Sequence, residues 1–149
     1  MPERNVAIVI FYDDKENIII QKRGEGVSKT GEKYGFFGGG IEKGETPEMT
    51  IRRELKEEMG FVPGNLIFWG VYSYRVRAID KRFEDKNGWM VKCWIFLAPI
   101  TVLIKKAKIT EGEGILLMKI DEVIDGDGFP IGATKFMKKL KKELYGRED

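Results

Sequence analysis

Histidine is absent from the 149 residues of this chain, and with it go every histidine nucleophile, histidine general base and histidine-ligated zinc site. Any chemistry must run on carboxylates, lysine, tyrosine, backbone groups or a bound metal. Cysteine is nearly absent too. The single thiol, Cys93, lies inside the apolar stretch Val91–Ala98, which excludes an intramolecular disulfide and predicts a buried thiol in a reducing compartment. No apolar run approaches the roughly 18 residues that a membrane-spanning helix needs, and Met1-Pro2-Glu3-Arg4 lacks the basic and apolar regions of a signal peptide. A soluble, cytoplasmic protein without a membrane partner is the expectation. Charge of one sign is also missing: 26 Lys and Arg against 24 Asp and Glu leave a net charge of +2, without the basic patches that nucleic-acid or membrane binders carry. With no internal repeat or linker, and 42% hydrophobic against 34% charged residues, residues 1–149 read as one domain around one core.

What is present divides into strand-like and helix-like segments. The apolar run Val6 to Phe11 and the shorter Ile18 to Ile20 flank the polar Asp13-Asp14-Lys15-Glu16-Asn17, so the chain is expected to open with a hairpin of two nearly central strands. Residues Arg23 to Gly35 are rich in glycine and charge and read as a long loop. Thr46-Pro47 sets an N-cap hydroxyl before a proline at the first helical position, and Gly60 supplies a stop, which predicts a helix over 47–59 with Ile51, Leu55 and Met59 as its buried stripe. Leu66–Ala78, Met90–Ala98, Val102–Ile109 and Ile115–Ile120 have the branched and aromatic content of strands. Residues 133–145 place Ala133, Phe136, Met137, Leu140 and Leu144 on one helical face, with Lys135, Lys138, Lys139, Lys141 and Lys142 away from it. Strands, a helix, more strands and a last helix predict a mixed sheet covered on both faces.

The chemistry is concentrated between Gly39 and Phe61, where a glycine loop feeds a glutamate-rich helix. At about 100° per residue, Glu54, Glu57 and Glu58 fall within an arc of roughly 100°, and like charges so placed oppose helix formation. Two readings account for them. They form a solvated acidic face with Arg53 and Lys56 as counter-charges, or a hard cation such as Mg²⁺ or Mn²⁺ resolves the repulsion through carboxylate oxygens, water and substrate phosphate. The triplet Gly38-Gly39-Gly40 favours the second, because bare backbone beside a helix N-terminus can approach an anion or a metal.

Loop and helix together resemble the Nudix signature, G-x5-E-x7-R-E-U-x-E-E-x-G-U with U a bulky apolar residue, at every defined position from Gly39 to Phe61. As a product of ordinary residue frequencies, a chance match is below roughly one in 10⁸ per start position. Tyr34-Gly35-Phe36-Phe37 is similar to the aromatic segment that leads into that signature, with Tyr34 where tryptophan and Phe37 where proline are common.

The resemblance implies an α/β (α+β) fold, a Nudix-type α/β/α sandwich with a mixed β-sheet between helices. It implies hydrolysis of a phosphoanhydride bond in a nucleoside diphosphate linked to another moiety, with Mg²⁺ (or Mn²⁺) as cofactor. Glu57 and Glu58 are then the main metal ligands, Glu54 a further ligand or base, and Gly39, or Gly38, a backbone carbonyl ligand. Glu45 and Arg53 would orient the glutamates and brace the loop. The general base comes from the helix or from the later loop Thr110-Glu111-Gly112-Glu113-Gly114, where Glu111 and Glu113 are the candidates and an exposed turn is the plain alternative.

Arg23, Arg75 and Arg77 are candidates for phosphate contact against ordinary surface charge, and Tyr72, Tyr74, Phe83 and Trp89 for base stacking against core packing. The substrate is expected to be a nucleotide-type small molecule: a nucleoside triphosphate, an oxidised nucleotide or a nucleotide sugar. An RNA 5′ end is the second enzymatic reading, resting on the lysine face of 133–145, and a non-catalytic nucleotide-binding module is the third. A homodimer is a further expectation, since Leu66–Tyr74 has apolar surface to spare.

Overall fold

A computed structural model describes residues 3–22, 34–75, 88–101, 114–126 and 133–146. Strand β1 (Glu3–Tyr12) is the axis of the sheet. Along one edge it pairs in parallel with β6 (Met90–Pro99), from Glu3 opposite Met90 to Tyr12 opposite Pro99. Along the other it pairs antiparallel with β4 (Phe37–Gly40) at Val6–Val9 and with β2 (Asn17–Lys22) at Tyr12. Strand β3 (Tyr34–Gly35) and β7 (Ile115–Lys119) add to β2, and β5 (Ile67–Arg75) adds antiparallel to β6. Seven described strands thus form one mixed sheet.

The continuous apolar run of β1 follows from this position, because a strand covered on both faces needs apolar side chains at both parities. Ala7, Val9 and Phe11 point to a layer with Ile51, Leu55 and Met59 of helix α1 (Pro47–Met59). Ile8 and Ile10 point to the other layer, with Phe136, Met137 and Leu140 of helix α3 (Ala133–Tyr145) and Val123 of helix α2 (Ile120–Asp125). The hairpin, helix α1 and the strands β5, β6 and β7 agree with expectation to within a few residues, and Cys93 is buried as predicted. Burial pushes the Cys93 thiol up to about 12.

Three expectations need correction. The glycine segment Phe37–Gly40 is a strand rather than a loop, and Tyr34–Gly35 pairs with β2, because the free edges of β1 and β2 require backbone partners there. Ile120 ends no strand. It starts α2, where Glu122 accepts a hydrogen bond from the Lys119 backbone N–H at 3.1 Å. Lys141 does not lie on a solvent face: it is 2% exposed, and its ammonium meets Asp121 of α2 at 2.6 Å, tying the two helices together. The expected strand 102–109 lies outside the described residues. Apolar surface on β5 is present, with Ile67, Phe68 and Val71 exposed.

Candidate active site

Two features of the local sequence build the site. Thr46 caps α1 by accepting from the Met49 N–H at 3.1 Å, and Gly60 closes it in a left-handed conformation with its N–H bonded to the Lys56 carbonyl. Just before the cap, Glu42 and Glu45 form a tight turn in which each backbone N–H is satisfied within the turn: Glu45 N–H donates to the Glu42 carbonyl at 2.9 Å, and Glu42 N–H to Glu45 Oε1 at 3.0 Å. This turn aims the Glu45 carboxylate at the first turns of the helix.

Arg53 receives it. Its Nε donates to Glu45 Oε2 at 2.8 Å and its Nη2 to Glu45 Oε1 at 2.9 Å, the two-pronged geometry that makes arginine–carboxylate pairs strong and directional. The other edge of the guanidinium is then committed in direction. Nη1 donates to Glu54 Oε1 at 2.9 Å, Nη2 reaches the Gly40 carbonyl at 3.3 Å, and Glu57 lies 3.7 Å away. The Arg53 bonds, with help from the Glu42 N–H, hold the Glu45 carboxyl far below the usual range, at about 2. The same pairing, Glu45 first and Glu54 next, raises Arg53 above its already high value.

Glu54 lies against the sheet. A Cβ built on Gly39 would stand 2.4 Å from Glu54 Oε1, so the carboxylate occupies the place of the side chain that Gly39 lacks. Gly38 is held in a conformation with φ of 142°, and a Cβ there would be 2.1 Å from the Ala7 carbonyl oxygen of β1. Both glycines are therefore required by close approach, one to a carboxylate and one to the central strand.

The three helix glutamates, expected to stack across one turn, differ sharply in setting. Glu57 is half exposed, Glu54 is mostly covered with 16% of its side chain exposed, and Glu58 is buried with 3% exposed. Among the described residues, no three His, Cys, Asp or Glu side chains converge into a cage that would hold a metal by themselves. The donor type nonetheless fits a hard divalent cation, which prefers oxygen ligands: Glu54, Glu57 and Glu58 share this helix, and the bare backbone of Gly39 lies against the Glu54 carboxylate. Water and substrate phosphate would have to complete the coordination.

The helix brings Arg53, Glu54, Glu57 and Glu58 together, and the adjoining turn and strand add Glu45 and Gly39. Tyr72 is not among them. It packs on the opposite face of the sheet, stacked on Trp69 and against Phe136, with the Lys139 ammonium 5.4 Å over its ring. Tyr74, two residues along β5, shares that parity. Arg75 donates to the Gly88 carbonyl at 3.1 Å, and Trp89 is half-buried beside it in sequence. Arg23, Arg77, Phe83, Glu111 and Glu113 lie outside the described residues. One participant had no sequence signal: Thr50, fully buried, donates its hydroxyl to Glu45 Oε1 at 2.9 Å.

Comparison with known proteins identifies the family. The NUDIX domain family model matches residues 1–140. The 8-oxo-dGTP diphosphatase of Escherichia coli (strain K12) is 31% identical over 98 residues, covering 63% of this chain and 70% of that protein. A Haemophilus influenzae protein of the same name is 32% identical over 87 residues, 57% of this chain and 63% of its own length. In structure, the MutT protein from Methanosarcina mazei Go1 superposes with a TM-score of 0.71 at 17% identity, over 97% of this chain and 96% of that one. A Nudix model spanning nearly the whole chain, a signature helix whose arginine bridges its glutamates, and the shared sheet lead to one assignment: this chain belongs to the Nudix family, as a MutT-like hydrolase.

Proposed function

We propose that the protein hydrolyses a phosphoanhydride bond of a nucleoside triphosphate, with oxidised purine nucleotides as the first substrate class and Mg²⁺ or Mn²⁺ as cofactor. The observation that carries this reading is the chain of contacts from Glu45 through Arg53 to Glu54, which fixes a carboxylate against the bare backbone of Gly39. A solvated acidic face needs no such bracing. The substrate class is supported by the relatives named 8-oxo-dGTP diphosphatase.

Glu57 and Glu58 are the ligands assigned to the cation, with Glu54 and the Gly39 carbonyl completing the protein's share. When bound, the cation would neutralise the diphosphate and lower the pKa of the attacking water. The water oxygen forms a bond to phosphorus, the bridging P–O bond breaks in line with it, and the products are a nucleoside monophosphate and pyrophosphate. The water's proton passes to a carboxylate. Glu54, held in place by Arg53, is the assignment, with Glu111 its competitor. Arg53 and Glu45 act by position, keeping Glu54 in one rotamer.

Release of pyrophosphate from nucleoside triphosphates, 8-oxo-dGTP and triphosphorylated RNA, and of nucleoside monophosphate from nucleotide sugars, should be screened with Mg²⁺, with Glu57→Gln, Glu54→Gln and Glu111→Gln alongside. Turnover of a nucleotide that falls about a hundredfold or more in Glu57→Gln is expected. Full activity in Glu57→Gln overturns the ligand assignment. Nucleotide binding without turnover of any compound turns the reading to a binding module. Of the lysine face on which the RNA reading rests, Lys141 is buried on Asp121, while Lys135, Lys138, Lys139 and Lys142 are exposed.

A further inference from the structure

Thr50 falls among the seven undefined positions between Glu45 and Arg53 of the signature, and nothing in that pattern asks for a hydroxyl there. Inside a helix a threonine hydroxyl ordinarily returns to the carbonyl one turn back. Here the hydroxyl donates instead to Glu45 Oε1 at 2.9 Å, outside the helix. Glu45 Oε1 thereby accepts from three directions: the Glu42 N–H at 3.0 Å, Thr50 Oγ1 at 2.9 Å and Arg53 Nη2 at 2.9 Å. Thr50 is fully buried, so water cannot take the place of its hydroxyl.

We propose that Thr50 is a positioning residue of the active site, setting the orientation of the Glu45 carboxylate, and through Arg53 that of Glu54. Geometry gives the relay its reach. Each link is a short, directional hydrogen bond, and the guanidinium is rigid and planar, so a rotation of Glu45 is passed to Nη1 and hence to Glu54 Oε1. Valine has nearly the volume of threonine without the donor, whereas serine keeps the donor and loses a methyl group. This inference rests on the reading that Glu54 belongs to the catalytic constellation.

The test compares Thr50→Val, Thr50→Ser and Glu54→Gln in the full chain, on the nucleotide turned over fastest, together with Mn²⁺ affinity measured by electron paramagnetic resonance. Loss of one hydrogen bond to a charged group predicts a kcat about tenfold lower in Thr50→Val with KM changed less than about twofold, weaker Mn²⁺ binding, and near wild-type behaviour in Thr50→Ser. In a Glu45→Ala background, which removes the acceptor altogether, the same Thr50→Val change should cost little more, because the relay is already broken. If Thr50→Val lowers Tm but leaves kcat and Mn²⁺ affinity unchanged, or lowers kcat equally in the Glu45→Ala background, the relay is overturned and Thr50 is a packing residue. Should Thr50→Val not fold, Thr50→Ala compared with Thr50→Ser decides by the same readouts. A fully active Glu54→Gln overturns the underlying site reading instead, which separates the two failures.

Discussion

At the scale of single residues, the site depends on what is missing from Gly39 as much as on what Glu54 carries. Alanine at position 39 would put a methyl group where Glu54 Oε1 lies, so Gly39→Ala should reduce kcat by about a hundredfold, the cost typical of an ångström-scale misplacement. Its melting temperature should stay near that of the wild type, because the flexible end of Glu54 can give way; steady-state kinetics and thermal melting on the same preparation check both halves. Glu45 makes a prediction in pH. Its carboxyl sits at about 2 when folded against an ordinary 4.5, so the unfolded chain takes up a proton in this window that the folded chain refuses. The stabilisation is therefore complete above pH 4.5 and lost as pH falls toward 2. The Tm advantage of the wild type over Glu45→Gln should shrink steadily across that interval, and an advantage that grows on acidification contradicts the assignment.

At the scale of elements, helix α1 is a core wall and a ligand platform at once. Leu55, between Glu54 and Lys56, is fully buried against the β1 layer, and Leu55→Ala should cost about 2–5 kcal/mol in chemical denaturation, with the folded fraction keeping its activity. This element was legible in the sequence because its signals are local: a threonine cap, a proline at the first position, a spaced apolar stripe and a terminal glycine. The strand Phe37–Gly40 was not, since glycine has little preference for strands and the pairing is decided by the needs of β1, some thirty residues earlier in the chain. Lys141 misled for a similar reason. Its periodicity places it beside the solvent face, and only the packing of α2 on α3 supplies Asp121. Because Asp121 is half exposed, Asp121→Ala should destabilise by about 1–2 kcal/mol, below the loss expected for a fully buried pair, while Lys141→Met should be close to neutral. As for the site, the spacing of Glu45, Arg53 and Glu54 was visible as a pattern, but the direction of each hydrogen bond, the covering of Glu58 and the part played by Thr50 are properties of the folded backbone.

At the scale of the whole molecule, the sheet is graded in burial from its axis outward. Strands β1 and β6 share a ten-residue parallel ladder that is buried at Val9–Phe11 and Ile95–Ala98, whereas β5 and β7 carry exposed apolar residues such as Ile67, Phe68 and Leu117. Amide hydrogen exchange should accordingly be slowest at Val9, Ile10, Ile95 and Phe96, approaching the global unfolding free energy, and faster by at least about tenfold along β5 and β7. Rapid exchange at the β1–β6 ladder would contradict this arrangement of the core.

The glycine strand β4, bonded directly to β1, places the floor beneath Glu54 beside the β1–β6 ladder. Heat inactivation should then have no early phase: catalytic output and the calorimetric endotherm should fall together, and the enzyme should keep working until the moment it melts.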